Sequence, residues 1–339
     1  MTINTIHSLF LECTKVSIDT RKIEKDCMFF SLKGANFDAN TFAKEALEKG
    51  ASYVIIDNEN YIIDQRTILV ENSLIALQEL AKFHRKYLKL PIIALTGSNG
   101  KTTTKELINV VLSKKFKTKA TIGNLNNHIG VPLTLLSFNS ETEFGIVEMG
   151  ANHKKEIEFL CELATPDYGY ITNFGKAHLE GFGGVEGVVI GKSEMYDYLS
   201  QNDKLAFINL EDAIQVEKAK TLKSFSFGVN KEMANVNINS IAANPFVEIQ
   251  FSNHLIQTHL IGLYNANNIN AALTIGKYFG VDDLEIKEAL ESYIPENNRS
   301  QLITKGTNRI ILDAYNANPS SMSVAVENFL QLNDSNKIM

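Results

Sequence analysis

Three cysteines in 339 residues (Cys13, Cys27 and Cys161) are too few, too far apart and odd in number for a disulfide framework or a zinc site. They fit a reducing compartment. A basic surplus is missing as well: 33 Lys and Arg against 39 Asp and Glu leave a net charge of −6. That excludes a broad positive field for nucleic acid but leaves room for a local basic pocket. No apolar run approaches bilayer-spanning length, so no membrane association is expected. The opening residues, Met1 to His7, carry neither a basic stretch nor a long apolar one, so no export signal is read and a cytoplasmic chain is expected. Long repeats and low-complexity tracts are absent. What is present, 44% hydrophobic and 21% charged residues, is ordinary for a globular chain of two or three domains.

One further absence lies inside the most informative stretch, Leu95 to Thr104, which reads Leu-Thr-Gly-Ser-Asn-Gly-Lys-Thr-Thr-Thr. The pattern G-x-x-x-x-G-K-[ST] would need a glycine where Leu95 stands, so only Gly97-x-x-Gly100-Lys101-Thr102 remains. So short a pattern also arises by chance in surface turns. Here the apolar run Ile92–Leu95 precedes it, and a helical pattern with Leu107, Ile108, Val111 and Leu112 follows. Strand, glycine turn and helix in that order make a phosphate-binding loop. Gly97, Ser98, Asn99 and Gly100 offer backbone N–H groups to phosphate oxygens, and the helix N-terminus adds a favourable partial charge. Lys101 reaches the outer phosphates, and the Thr102 hydroxyl, with Thr103 beside it, is placed for magnesium.

The rest of the chain is arranged around that loop. Residues 1–88 read as a small α/β unit, with strands at Phe29–Leu32 and Tyr53–Asp57 and a helix through Phe42–Leu47 closed by Gly50. Ser17-Ile18-Asp19-Thr20-Arg21 is a compact polar turn. Residues 89–295 read as the nucleotide domain, entered after a helix over Ser73–Leu88 and Pro91. Thr121–Pro132, dense in Asn and Gly, reads as a loop that supports no core and includes Asn126 and Asn127. Gly145–Gly150 is a strand ending at Glu148, which places that carboxylate as a metal ligand beside the loop. His178 follows the strand end at Asn173, on the side of the sheet suited to a second metal. Lys192 lies early in a helix and, on composition alone, is a surface lysine. Val236/Ile238 and Val247/Ile249/Phe251 alternate as half-buried antiparallel strands do. Four asparagines open the helix that ends at Gly280; one caps it, and the others, Asn268 among them, are free to read a base edge. Residues 296–339 hold Arg299, a strand ending at Asp313, then Tyr315 and Asn316, and a helix from about Ser320. They read as a third α/β domain cut off near its start.

Taken together, Thr96–Thr103, Gly123–Pro132, Glu148–His153 and Asp313–Pro319 resemble the Mur ligase family of ATP-dependent amide ligases in peptidoglycan precursor synthesis. The resemblance runs from about Ser17 to the end of the chain. It implies a multi-domain α/β architecture: a small N-terminal α/β domain, a central phosphate-loop ATPase domain with extra antiparallel strands, and the start of a Rossmann-like C-terminal domain. The second and fourth stretches resemble those of the family member that adds D-alanyl-D-alanine to UDP-N-acetylmuramoyl-tripeptide. By position, the resemblance implies ATP phosphates on Lys101 and the loop, and a magnesium ion on Thr102 and Glu148. A second magnesium falls to His178, with Lys192 carbamylated beside it. Asn268, Tyr315 and Asn316 fall at adenine, Arg299 at the phosphates and Asp313 at ribose. Ser17, Asp19, Thr20 and Arg21 fall where the family recognises the uridine diphosphate group, and Asn126 and Asn127 in a substrate-facing loop. A monomer is expected. Tyr264-Asn265 departs from the family's frequent His-Asn. The alternatives are another Mur-type or folylpolyglutamate-type ligase, a non-catalytic nucleotide-binding fragment, or, less favoured, a phosphate-loop motor or GTPase.

Overall fold

Short apolar runs separated by amphipathic helices build the whole chain. The computed structural model describes residues 1–296, 298–313, 315, 317–332 and 336–339. The elements begin with α1 (Ile3–Leu11), β1 (Val16–Ser17), β2 (Met28–Phe30), β3 (Lys33–Gly34), β4 (Phe37–Asp38), α2 (Ala43–Glu48), β5 (Tyr53–Ile56), β6 (Thr67–Leu69) and α3 (Ser73–Leu88). They continue through β7 (Ile92–Thr96), α4 (Lys101–Leu112), β8 (Thr118–Ala120), α5 (Gly130–Ser137), β9 (Phe144–Glu148), α6 (Glu156–Ala164), β10 (Tyr168–Ile171), α7 (Leu179–Phe182), α8 (Val185–Gln201) and β11 (Leu205–Asn209). Last come α9 (Ala213–Lys218), β12 (Lys223–Val229), β13 (Val236–Ile238), β14 (Ser240–Ala243), β15 (Phe246–Phe251), β16 (His254–Ile261), α10 (Ala266–Tyr278), α11 (Asp283–Ser292), β17 (Gln301–Lys305), β18 (Asn308–Leu312) and α12 (Pro319–Gln331). Among the described residues no helix is long and apolar enough to cross a membrane.

The chain divides into two units. The first comprises Met1–Pro91, Thr121–Thr142 and Glu162–Thr165. Its sheet has the order β1-β2-β5-β6, all parallel, with Met28, Phe29, Phe30 and Val54–Ile56 buried. The expected helix over Ser73–Leu88 is α3, capped by the Asn72 side chain on Ile75 N–H. Its buried stripe, Leu77, Leu80, Ala81, His84 and Arg85, follows helical spacing. The Asn-rich stretch is less of a loop than expected. Gly130 already begins α5, and Val131, Thr134 and Leu135 are buried. Asn127 makes this start, its side chain accepting from Ile129 N–H and Gly130 N–H, so its carboxamide serves a helix terminus that composition hid.

Two polar side chains of α3 hold this unit together from inside. Arg85 donates to the carbonyls of Ala164 and Thr165, at 3.0 and 3.1 Å, satisfying acceptors left open where α6 ends. His84 Nε2 lies 2.9 Å from the Phe138 carbonyl and its Nδ1 3.0 Å from His7 Nε2. A carbonyl only accepts, so His84 carries its proton on Nε2 and accepts from His7 through Nδ1. Both rings are buried, and burial pushes both pKa values down; in His7 the facing His84 adds to it, and in His84 the Phe138 bond opposes it.

The second unit carries the seven-stranded sheet, in the order β13-β12-β11-β10-β7-β9-β8 with every pair parallel. β7 and β9 are buried along their whole length, as strands covered on both faces are. After β7 the chain moves to one side, through β8 and β9, and then crosses to β10 on the other. The carboxyl end of β7 is therefore the switch point where ligands gather in open parallel sheets. Val236 and Ile238, expected in antiparallel strands, instead form β13, a parallel edge strand on β12. A parallel edge strand buried on one face alternates as an antiparallel one does, so alternation did not separate the two. The other expected antiparallel strand, with Val247, Ile249 and Phe251, is β15, paired antiparallel with β14 and β16 in a sheet of its own. A hairpin, β17–β18, precedes α12, and only its second strand was expected.

The histidine pair gives a pH dependence with a definite sign. Folded pKa values below the ordinary histidine value mean that the unfolded chain binds more protons, so stability rises with pH across that interval. Acidification from pH 7 to 5 is expected to lower the urea midpoint. His84→Gln, which keeps a donor for the Phe138 carbonyl, is expected to flatten that dependence; an unchanged slope would remove the pair as its source.

Candidate active site

Between Thr96 and Lys101 the chain reverses from strand to helix in four residues. Gly97 (φ +143°) and Gly100 (φ +79°) take backbone angles that side chains rarely allow. A Cβ on Gly97 would lie 1.9 Å from Thr172 Oγ1, and one on Gly100 2.6 Å from Asn268 Oδ1. The residues between them are gripped by the chain leaving β10. Ser98 N–H donates to the Asn173 carbonyl and Ser98 Oγ to the Gly175 carbonyl, at 3.1 and 2.7 Å. Asn99 N–H donates to Asn173 Oδ1, while the Asn99 carbonyl accepts from Thr172 Oγ1 and Asn173 Nδ2. Lys101 Nζ folds back onto the Gly97 and Ser98 carbonyls at 2.9 and 3.3 Å. Thr103, one residue beyond Thr102 in the first turn of α4, is buried.

A hydroxyl and a carboxylate meet beside this loop. Thr102 Oγ1 donates to Glu148 Oε2 at 2.9 Å, joining the start of α4 to the end of β9, and both residues are buried. This is the pair that the sequence reading placed on magnesium. The Lys101 pKa is lowered by desolvation, opposed by the Glu148 carboxylate and lowered further by Arg299. His178, just past β10 with a left-handed backbone (φ +53°), has its pKa lowered by partial desolvation and then by Lys101 and Lys192.

Lys192 departs from the surface position that composition suggested. It is 2% exposed and lies in the middle of α8, because that helix already starts at Val185. Val188, Gly191, Lys192, Met195, Tyr196 and Leu199 share one buried stripe, so helical spacing turns the lysine inward. Its Nζ donates to the Ala151 carbonyl at 3.4 Å and lies 5.2 Å from the Phe182 ring centroid. Burial, with Lys101 adding to it, pulls its pKa down to about 7.

On another side of the loop, Asn268 joins α10 to α4. Its Oδ1 accepts from Thr104 Oγ1 at 3.0 Å and its Nδ2 donates to Asn265 Oδ1 at 2.9 Å. The Asn265 side chain donates to the Ile261 carbonyl and makes no cap bond, contrary to the expectation that one asparagine caps α10. Asn268 keeps one N–H and one lone pair unused by these bonds. The Arg299 guanidinium lies 3.7 Å from the centroid of the Tyr315 ring, and its buried Nε has no hydrogen-bond partner among the described residues. Asp313 follows β18, and Asn316 lies outside the described residues.

In the first unit, Ser17 Oγ donates to the Asp19 carbonyl. Arg21 clasps the Asp19 carboxylate through Nε and Nη2, at 2.9 and 2.8 Å, which holds that carboxyl down at about 2. Thr20 lies between them in a short 3-10 turn. Asn126 lies in the turn before Asn127, its N–H donating to the Asn124 carbonyl.

Sequence reasoning overlooked the residues that hold these groups in place. Thr172, Asn173 and Gly175 fix the loop. Glu156 accepts from Asn152 N–H and His153 N–H at 2.6 and 3.0 Å, and its charge raises the pKa of both Lys192 and His178. Glu156 is the first residue of α6 and follows no Ser or Thr at capping-box spacing, so no local pattern announced its role. Gly97→Ala is expected to lower stability by about 2 kcal/mol through backbone strain and the clash with Thr172, read as a lower urea midpoint at unchanged slope.

The comparisons agree with this geometry. Residues 95–276 match the family model described as Mur ligase middle domain, and residues 12–85 the one described as Mur ligase family, catalytic domain. The UDP-N-acetylmuramoyl-tripeptide–D-alanyl-D-alanine ligase of Bacillus subtilis is 36% identical over 315 residues, covering 92% of this chain and 69% of its own length. A crystal structure of MurF from Acinetobacter baumannii superposes with a TM-score of 0.84 at 31% identity, covering 98% of this chain and 77% of that one. MurF ligase from Thermotoga maritima in complex with ADP gives a TM-score of 0.81 at 27% identity, covering 95% and 75%. A phosphate loop at the sheet's switch point, a Thr–Glu pair beside it and these likenesses lead to one conclusion: the chain belongs to the Mur ligase family.

Proposed function

We propose that this protein joins D-alanyl-D-alanine to UDP-N-acetylmuramoyl-tripeptide at the expense of ATP, in the cytoplasmic assembly of peptidoglycan precursors. The observation that carries the reading is the buried Thr102–Glu148 pair beside Lys101 at the end of β7. A hydroxyl and a carboxylate are hard oxygen donors, suited to a magnesium ion that takes its other ligands from phosphate and water. When bound, magnesium offsets the charge of the triphosphate and of the incoming carboxylate. Lys101 and the backbone N–H groups of Gly100–Thr103 hold the phosphates, with Arg299 beside them; the Ser98 and Asn99 N–H groups, expected from the sequence to face phosphate, are already bonded to Asn173. Asn268, Tyr315 and Asn316 take adenine, and Asp313 takes ribose.

The reaction follows from the weakness of a carboxylate as an electrophile. The peptide carboxylate attacks the terminal phosphorus, ADP leaves, and an acyl phosphate forms. The amine of D-alanyl-D-alanine then attacks the acyl carbon, phosphate leaves, and the amine gives up its proton. Lys101 neutralises charge on the transferring group, which the loop amides orient. His178 supports a second magnesium. Lys192, with a pKa of about 7, is about half neutral near pH 7 and so nucleophilic towards CO2. Its nitrogen bonds to the carbon, a proton is released, and the buried cation becomes an anionic carbamate.

We assign residues 1–88 to uridine diphosphate recognition by Ser17, Asp19, Thr20 and Arg21, residues 89–295 to ATP, and residues 296–339 to the start of a C-terminal ligase domain. Asn126 and Asn127 face the peptide substrate, and the protein acts as a monomer. A folylpolyglutamate-type ligase is the second reading, and the separate N-terminal sheet disfavours it.

Titration with UDP-N-acetylmuramoyl-tripeptide is expected to raise the thermal midpoint saturably and beyond UDP alone, since a ligand at 100 times its Kd adds about 2.7 kcal/mol. A shift with folylglutamate alone would support the second reading instead. In a full-length enzyme, Lys192→Ala is expected to be inactive and partly rescued by short-chain carboxylates; full activity without rescue would remove the carbamate.

A further inference from the structure

The start of α12 is tied to the phosphate loop by one side chain. Asn318 Nδ2 donates to Asn99 Oδ1 at 2.7 Å, across 219 positions of sequence. The orientation of both amides follows from neighbouring bonds. Asn318 Oδ1 is committed as the helix cap, accepting from Ser321 N–H at 2.9 Å, while Asn318 N–H donates to Ser321 Oγ in the reciprocal half of a capping box. Only the amino group of Asn318 is left to point at the loop, so Asn99 must meet it with its carbonyl oxygen. The Asn99 amino group then turns towards Gly175, where a Cβ would come within 3.0 Å of it.

With this bond the backbone N–H, the backbone carbonyl and the side-chain oxygen of Asn99 are all engaged. Its backbone N–H and carbonyl are held by Asn173 and Thr172, and its side chain by Asn318. Two residues further along, Ser320 Oγ accepts from Lys176 N–H at 3.0 Å, on the stretch leading to His178.

We infer that Asn318 is a positioning residue for nucleotide binding: through Asn99 it holds the phosphate loop in its receiving conformation and couples α12 to occupancy of that loop by a nucleoside diphosphate or triphosphate. The inference rests on the nucleotide reading of the loop given above. A loop already held in its bound form loses less freedom when the phosphates arrive, so the contact contributes affinity without touching the ligand. Coupling is reciprocal: a nucleotide that favours the held loop also favours docking of α12.

Asn318→Ser separates this role from capping. Serine caps as well as asparagine but is too short to reach Asn99. Calorimetric titration of the chain with ADP and magnesium is expected to show Kd raised about three- to tenfold in Asn318→Ser, the worth of one hydrogen bond, with the thermal midpoint of the ligand-free protein unchanged. Asn99→Ala is expected to weaken ADP similarly, and the double variant no more than the stronger single one. A wild-type Kd in Asn318→Ser, or additive losses in the double variant, would leave Asn318 a helix cap only and overturn the inference. A wild-type chain that binds no ADP removes the nucleotide reading and this inference with it.

Discussion

The site depends on one constraint, the immobilisation of the turn between β7 and α4. Phosphate binding needs several backbone N–H groups converging on one point, and a free chain does not hold them there. Gly97 and Gly100 make the turn sterically accessible, but glycine also gives the unfolded chain the most freedom to lose. Bonds from Ser98 and Asn99 to Thr172, Asn173 and Gly175 offset that loss. Because β10 neighbours β7 in the sheet, the parallel pairing itself delivers Thr172 and Asn173 to the loop.

Positive charge gathers around the same turn. Lys101, His178 and Lys192 all have lowered pKa values, and in each case desolvation leads while other cations add to it. Glu148 and Glu156 oppose the effect without cancelling it. Such a pocket is short of negative charge, and a triphosphate supplies it. An anion bound there restores proton affinity to Lys101, so part of the electrostatic strain around that side chain becomes binding energy.

The first unit solves a different problem with similar means. Its parallel sheet is small, and polar groups inside it bind its helices to one another. His84 joins α1 to the end of α5, and Arg85 closes the carbonyls at the end of α6. Adjacent on α3, the two residues use neighbouring positions of one helix face for separate ends of the chain.

Local chemistry was legible in the residues alone. Gly97, Gly100, Lys101 and Thr102 between an apolar run and an amphipathic pattern announced strand, turn and helix, and those elements form where expected. Their meaning is local because phosphate binding by a loop needs only consecutive amides. Helix α3 and the antiparallel strand β15 were readable for the same reason, since period and caps are written within one segment. Strand-end positions already suggested metal roles for Glu148 and His178, whereas family resemblance alone suggested one for Lys192. Tertiary structure decided what depends on partners remote in sequence. It turned Lys192 from an apparent surface cation into a buried one, paired β13 in parallel, set the Asn127 side chain on the turn into α5, and made Asn318 a helix cap. Glu148 meets Thr102 only because β9 lies beside β7, and Asn318 meets Asn99 only because α12 docks on the loop. A sequence specifies its own periodicities, but burial and pairing are properties of two surfaces, and the second surface exists only once the chain has folded.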